Sequence, residues 1–247
     1  MSFEERTYRV LVNKVRFDYF TVVHRETDLF IGLPQGKYTG EVYAFVFDEI
    51  RRLREILDRF IDGFPVFRDS LEPVDPPGEV PDVIKPLFEA SKRAGTGPMA
   101  GIAGLFSTHI TEKLYAEYKP AEVVIENGGD ICAITESDIN VSLYAGNSPL
   151  SGKLALKVPA GKWGICTSSG TVGHSLSFGK ADSVTAIAGS PVVADVFATA
   201  LANKVGGKND ISKVLDSVAC YPELSGCVII IKDQVGLRGS FELLPMD

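Results

Sequence analysis

Four segments of the 247-residue chain carry residue types suited to chemistry. Glu126-Asn127-Gly128-Gly129-Asp130 lies between two apolar runs. Asn-Gly is a strong hairpin signal because both residues tolerate positive φ. Paired glycines would equally let a backbone approach a ligand, with Asn127 and Asp130 supplying directed polar contacts. Thr167-Ser168-Ser169-Gly170-Thr171-Val172-Gly173-His174 offers hydroxyls and backbone N–H groups suited to phosphate oxygens, or a plain surface turn. It lacks the Gly-Lys-Ser/Thr ending of a P-loop. Asp195 and Thr199 stand four apart in a helical pattern and so share a face. A carboxylate and a hydroxyl there could hold a hard cation such as Mg2+. They could also be a first-turn acid favoured by the helix dipole and a hydroxyl bonded back to a carbonyl. Glycines 95, 97, 101 and 104 could open a helix N-terminus onto an anion, but close helix packing is the preferred reading.

These segments need elements to position them. Tyr8 to Val15 alternates, and Tyr19–Val23 and Leu29–Leu33 flank Arg25-Glu26-Thr27-Asp28 as a hairpin. A helix is predicted from about Tyr38 to Asp62, its apolar positions recurring at three and four and stopped by Gly63 and Pro65. Residues 64–81 hold five prolines and many acids, a loop or lid inside one domain spanning 1–247. A second helix follows from Pro81 to Arg93, and a small-residue helix runs from Gly95 to Tyr118. Beyond residue 121 short strands are expected at 123–126, 131–135, 139–144, 153–158, 165–167 and 184–188. A helix at 191–205, a short helix at 211–218 and a final strand at 227–231 close the chain. Runs of strands with helices segregated between them indicate an α+β fold, mostly antiparallel.

The formal charge of −7 and the absence of a basic cluster argue against a nucleic-acid reader. Arg51, Arg52 and Arg54 alternate with Glu49, Glu55 and Asp58, as on a solvated helix face. No apolar run reaches the roughly 18–20 residues of a membrane span, and Met1 to Arg9 does not read as a signal peptide. The expected compartment is the cytoplasm, and a homo-oligomer is left open. The four cysteines form no C-x-x-C pair and the three histidines are far apart, so the usual zinc spacings are absent.

Taken in order, the second half resembles the ApbE family, flavin transferases that use FAD and Mg2+ to attach FMN covalently to a protein Ser or Thr. The family's Asn-x-Gly-Gly, Thr-Ser-Gly, Ser-Val-Thr and Ala-Asp-x-x-Ala-Thr stretches are matched by Gly128-Gly129, Thr167-Ser168-Ser169-Gly170, Ser183-Val184-Thr185 and Ala194-Asp195-Val196-Phe197-Ala198-Thr199. The match covers roughly residues 121–205, and the rest, including Gly95 to Gly104, is similar to an ApbE-related subgroup of archaea and anaerobic bacteria. This resemblance implies an ApbE-like core and a Mg2+ site at Asp195 and Thr199. It also implies a flavin-nucleotide site lined by Asn127, Gly128 and Gly129 and by Ser168, Ser169, Gly170 and Thr171. The family's His-x-x-Asp-Pro-x-x-Gly segment has no counterpart in Thr171–Asp182, where His174 is the one candidate to stand in for its histidine.

The resulting expectation is a protein that binds FAD or a related nucleotide, with Mg2+-dependent transfer as its chemistry and His174 or Asp130 as general base. A different class competes with it. Cys132 and Cys166 flank the same segments, and a low-pKa thiol there could carry a persulfide in anaerobic sulfur assimilation. A non-catalytic relative is the third reading.

Overall fold

The computed structural model describes residues 15–170 and 178–246. The first strands, β1 (Phe17–His24) and β2 (Thr27–Pro34), form the expected hairpin, closed more tightly than predicted because Arg25 takes a left-handed φ of 54°. Helix α1 (Gly40–Gly63) starts where the Thr39 hydroxyl accepts the Val42 N–H at 3.2 Å, and it stops as Phe64 leaves helical geometry. Its charged face is less uniform than the sequence implies: Arg51 pairs with Glu55 on the surface, but Glu49 is buried.

The proline-rich stretch is pinned down and does not hang free. It contains one helical turn, α2 (Val66–Asp69), whose Phe67 is fully buried against Phe60 and Phe88. The Ser70 carbonyl lies so close to Gly97 that a Cβ there would be 1.9 Å from its oxygen. Helix α3 (Lys85–Ala94) ends at Gly95 in the left-handed region. The small-residue helix is in fact two pieces, a 3-10 turn (Pro98–Gly101) leading into α4 (Ile102–Tyr118).

The next strands are β3 (Val123–Asn127), β4 (Asp130–Thr135), β5 (Ile139–Ser142), β6 (Leu154–Val158), β7 (Gly161–Ser168), β8 (Ser183–Ala188) and β9 (Leu224–Ile231). Helices α5 (Pro191–Ala202) and α6 (Asp210–Ser217) separate β8 from β9. Two further strands, β10 (Gln234–Gly239) and β11 (Glu242–Pro245), go beyond what the sequence predicts. The segment 8–14 lies outside the described residues.

An eight-stranded sheet runs β1-β2-β3-β4-β7-β8-β9-β10, every pair antiparallel, and a three-stranded sheet runs β11-β6-β5. Helices cover one face of the large sheet through a core that joins Val46, Ile50, Leu105 and Ile110 to Leu29, Ile31 and Ile125. The small sheet covers part of the other face through Leu156 and Val158 against Ile165, Ile187, Val228 and Ile230. The fold is thus α+β and mostly antiparallel, as the sequence indicates. Among the described residues no helix is long and apolar enough to cross a membrane.

Candidate functional site

Pairing register brings the first two candidate segments together. Residues paired across antiparallel strands share a face. Asn127 pairs with Asp130, Asp130 with Cys166, Cys166 with Ala186, and Ala186 with Cys227. This row faces the helices. The turn that joins β3 to β4 is Gly128-Gly129, with φ values of 69° and 103° that only glycine adopts without strain. Gly129 abuts Thr167, near the end of β7.

Helix α5 seats Asp195 over this row. Its start is pressed onto β7 at Gly164, where an added Cβ would lie 2.4 Å from the Pro191 nitrogen. The start of α4 crosses the same point, and a Cβ on Gly104 would lie 2.5 Å from the Pro191 carbonyl oxygen. That close approach lets the Gly104 N–H donate to the Asp195 carboxylate at 2.8 Å, and the Ala103 N–H adds a second bond. Gly104 therefore serves both readings of its motif: it is small for packing, and its N–H binds an anion, which is the protein's own carboxylate. Asn127 fixes the same turn from the sheet side, its side-chain amide donating to the Ala103 carbonyl at 3.2 Å.

Asp195 and Asp130 are both buried. Burial pushes the Asp195 carboxyl up to about 7, against the pull of its two N–H donors. Burial and the nearby Asp195 charge hold Asp130 well above the usual carboxylate range, although the Cys166 thiol and the Thr167 N–H bond to it. One Asp130 oxygen, Oδ1, is buried with no hydrogen-bond partner, and so is the Ser168 hydroxyl. Cys166 packs against Ala194 under the start of α5.

Two backbone donors expected for phosphate are already engaged. The Gly129 N–H donates to the Glu126 carboxylate at 2.7 Å, and the Gly170 N–H to the Ala181 carbonyl at 3.0 Å. Gly170 belongs to a closed stem, since its Cβ position is filled by the Gly179 carbonyl. Thr171 and His174 lie outside the described residues. Glu126 is the participant the sequence does not assign: its bond closes the Gly-Gly turn, and its charge also raises Asp130.

The thiol reading meets burial. Cys132 and Cys166 are both fully buried, and burial pushes the Cys132 thiol up to about 11 and raises Cys166 as well. A reactive thiolate needs the opposite, exposure and a lowered pKa. The Cys166 sulfur also lies 3.3 Å from the Pro191 carbonyl oxygen, so its single S–H is shared between two internal acceptors. Of the four cysteines, Cys220 alone is exposed.

Among the described residues no group of three or more His, Cys, Asp or Glu is arranged to hold a metal ion. A cation here would have to draw on mixed oxygen donors. The Asp195 and Asp130 carboxylates lie close enough to interact, and one Asp130 oxygen is buried without a partner. Oxygen-only donors suit a hard divalent cation.

A family profile described as "AbpE bacteria" matches residues 9–221. The UPF0280 protein of Methanococcus maripaludis strain C6 is 38% identical over 226 residues, 89% of this chain and 90% of that protein. The UPF0280 protein of Methanocaldococcus jannaschii is 33% identical over 234 residues, 92% of this chain and 93% of the relative. Among solved structures, the apo flavinyl transferase ApbE of Pseudomonas stutzeri superposes with a TM-score of 0.59 at 14% identity, covering 93% of this chain and 94% of that one. The ApbE protein of Thermotoga maritima gives 0.54 at 14% identity, with 91% and 97% covered. The large sheet with its helical layer is therefore the ApbE fold, and the chain belongs to the ApbE-related family described as "AbpE bacteria", alongside the UPF0280 proteins of archaea.

Proposed function

We propose that this chain binds FAD or a related flavin nucleotide with the help of a divalent cation, and that its reaction is transfer of a phosphoryl-linked group from that nucleotide. The observation that supports this most is the buried oxygen cluster. Asp195 is fixed by two N–H groups at the start of α4, close to the orphaned Asp130 Oδ1 and on the same face as the unbonded Ser168 hydroxyl. Burying carboxylates with no basic partner is costly unless a cation joins them. Asp195 and Thr199 would hold Mg2+, with Asp130 beside them, and such an ion supplies Lewis-acid polarisation of a pyrophosphate.

The chain's own residues do the rest. Asn127 and Asp195 hold the start of α4 against the sheet. Glu126 shapes the Gly128-Gly129 turn. With the Gly129 and Gly170 N–H groups engaged, phosphate contacts fall to the Ser168 hydroxyl and to the cation site. Asp130, its carboxyl raised by burial and by the nearby Asp195 charge, is a candidate for proton transfer. His174 is the second candidate for proton transfer.

Calorimetric titration of the reduced protein with FAD, with and without Mg2+, tests the reading. FAD binding that requires Mg2+ and is lost in Asp195→Asn and Thr199→Val supports it. FAD binding in neither condition refutes it and leaves the non-catalytic relative.

A further inference from the structure

The Pro191 carbonyl is a meeting point of three elements. The start of α4 is pressed against it, since a Cβ on Gly104 would lie 2.5 Å from its oxygen. Within α5 the Ala194 N–H takes the Ser190 carbonyl, so the same helical step assigns the Pro191 carbonyl to the Asp195 N–H. The sheet contributes the third group, the Cys166 sulfur at 3.3 Å. The Asp195 carboxylate is itself bonded to the Gly104 N–H at 2.8 Å. Backbone and side chain of Asp195 are thus both mounted on groups that meet at Pro191.

The same thiol reaches the other carboxyl. Asp130 stands directly opposite Cys166 in the register of β4 and β7, and its carboxylate accepts the Cys166 S–H and the Thr167 N–H. These contacts leave Asp130 Oδ1 buried with no partner. The charges of Asp130 and Asp195 both bear on the thiol. A buried cysteine ordinarily packs as a small apolar filler, and Ala188 and Ala194 give this one apolar neighbours. What sets Cys166 apart is that its one hydrogen stands between two acceptors, each part of the mounting of a different carboxyl group.

We infer that Cys166 is a positioning residue of the cation site, its thiol spacing the Asp130 carboxyl from the start of α5 and so setting the distance between Asp130 and Asp195. The assignment rests on the cation-dependent reading above and deepens it. Two carboxylates clasp one ion only when their separation suits its coordination sphere, and the groups behind the ligands set that separation. A sulfur contact of 3.3 Å is longer than the roughly 2.7–2.8 Å of an O–H···O bond, so a hydroxyl in its place keeps the donor and draws the two mounts closer.

The test titrates the full chain with Mg2+, with and without FAD, in wild type, Cys166→Ala, Cys166→Val and Cys166→Ser. Alanine leaves space and valine fills it, and both remove the donor, so either variant that folds suffices. Each is expected to weaken Mg2+ by about ten- to a hundredfold, the effect of losing a partner behind a metal ligand. Cys166→Ser should hold Mg2+ affinity within about threefold, because the donor remains. The infrared S–H band that wild type shows and Cys166→Ala lacks should shift when Mg2+ is added, which a thiol that only fills space would not do. Unchanged Mg2+ affinity in Cys166→Ala or Cys166→Val overturns the positioning role and leaves the cation reading standing. An equal loss in Cys166→Ser, or an S–H band that Mg2+ does not move, overturns it as well, since packing alone would then be at work. Wild-type protein that takes up Mg2+ under neither condition overturns both.

Discussion

Replacing Asp195 by asparagine should make the cation-free protein progressively more stable, relative to wild type, as the pH rises. The Asp195 carboxyl sits at about 7 in the fold against 3.8 for an ordinary aspartate, because it is buried. Between those values the native chain holds a proton that the unfolded chain has released. Stability from this group is therefore fully present below the unfolded value and is lost as pH rises through the folded one. Each tenfold in proton affinity is about 1.36 kcal/mol, so wild type loses roughly 3 kcal/mol between about pH 5 and pH 8, and nothing further above that. Asparagine cannot ionise and escapes the loss. Its own offset, from giving an amide to two N–H donors, is constant with pH and cancels from the slope. Urea unfolding of both proteins at intervals from about pH 5 to pH 8, in chelator, measures the difference directly. In a chain of this size it corresponds to a shift in relative Tm of roughly 6–12 °C. Excess Mg2+ at about pH 8 should then recover stability in wild type, by about 2.7 kcal/mol at a hundred times its Kd, and not in the variant. Two curves that run parallel from pH 5 to pH 8 would show that Asp195 ionises normally, and the buried-carboxylate argument for a cation site would fall with it.

Gly164→Ala should destabilise by about 3 kcal/mol or more, because the new Cβ meets the Pro191 backbone and neither strand nor helix start can yield; the denaturation midpoint reports it. Iodoacetamide applied to the native, reduced protein should label Cys220 quickly and Cys132, Cys166 and Cys227 only on unfolding, as read by peptide mass spectrometry. Fast labelling of Cys132 or Cys166 would revive the thiol reading. Lys119→Gly should stabilise by about 0.5–1 kcal/mol in urea unfolding, since residue 119 ends α4 at φ 46° and ψ 50°, where a side chain is strained.

What the sequence discloses here follows the range of the physics that each feature depends on. Periodicity is local, so α1, α5 and the strands from β3 to β9 are legible within a few residues. β10 and β11 are not: β10 carries glycines at 236 and 239 in a half-exposed edge strand, and β11 is four residues long. The pairing of Asp195 with Thr199 is likewise a matter of spacing on one helix. The partner that fixes Asp195 is 91 residues away, and nothing local in Gly95 to Gly104 separates an anion-binding turn from a packing surface. The structure shows why the question has no answer at that level. The bond from Gly104 to Asp195 exists only because both Gly104 and Gly164 let two helix starts close on Pro191. Packing and anion binding are one arrangement, and neither can be mutated alone. The same logic turns the Gly128-Gly129 turn around: its conformation is that of a ligand-binding loop, but its Gly129 donor is satisfied by Glu126 within the turn. Three carboxylates, Glu126, Asp130 and Asp195, are thus gathered at one end of the sheet, and on the proposed reading a cation would be what reconciles them with an anionic nucleotide.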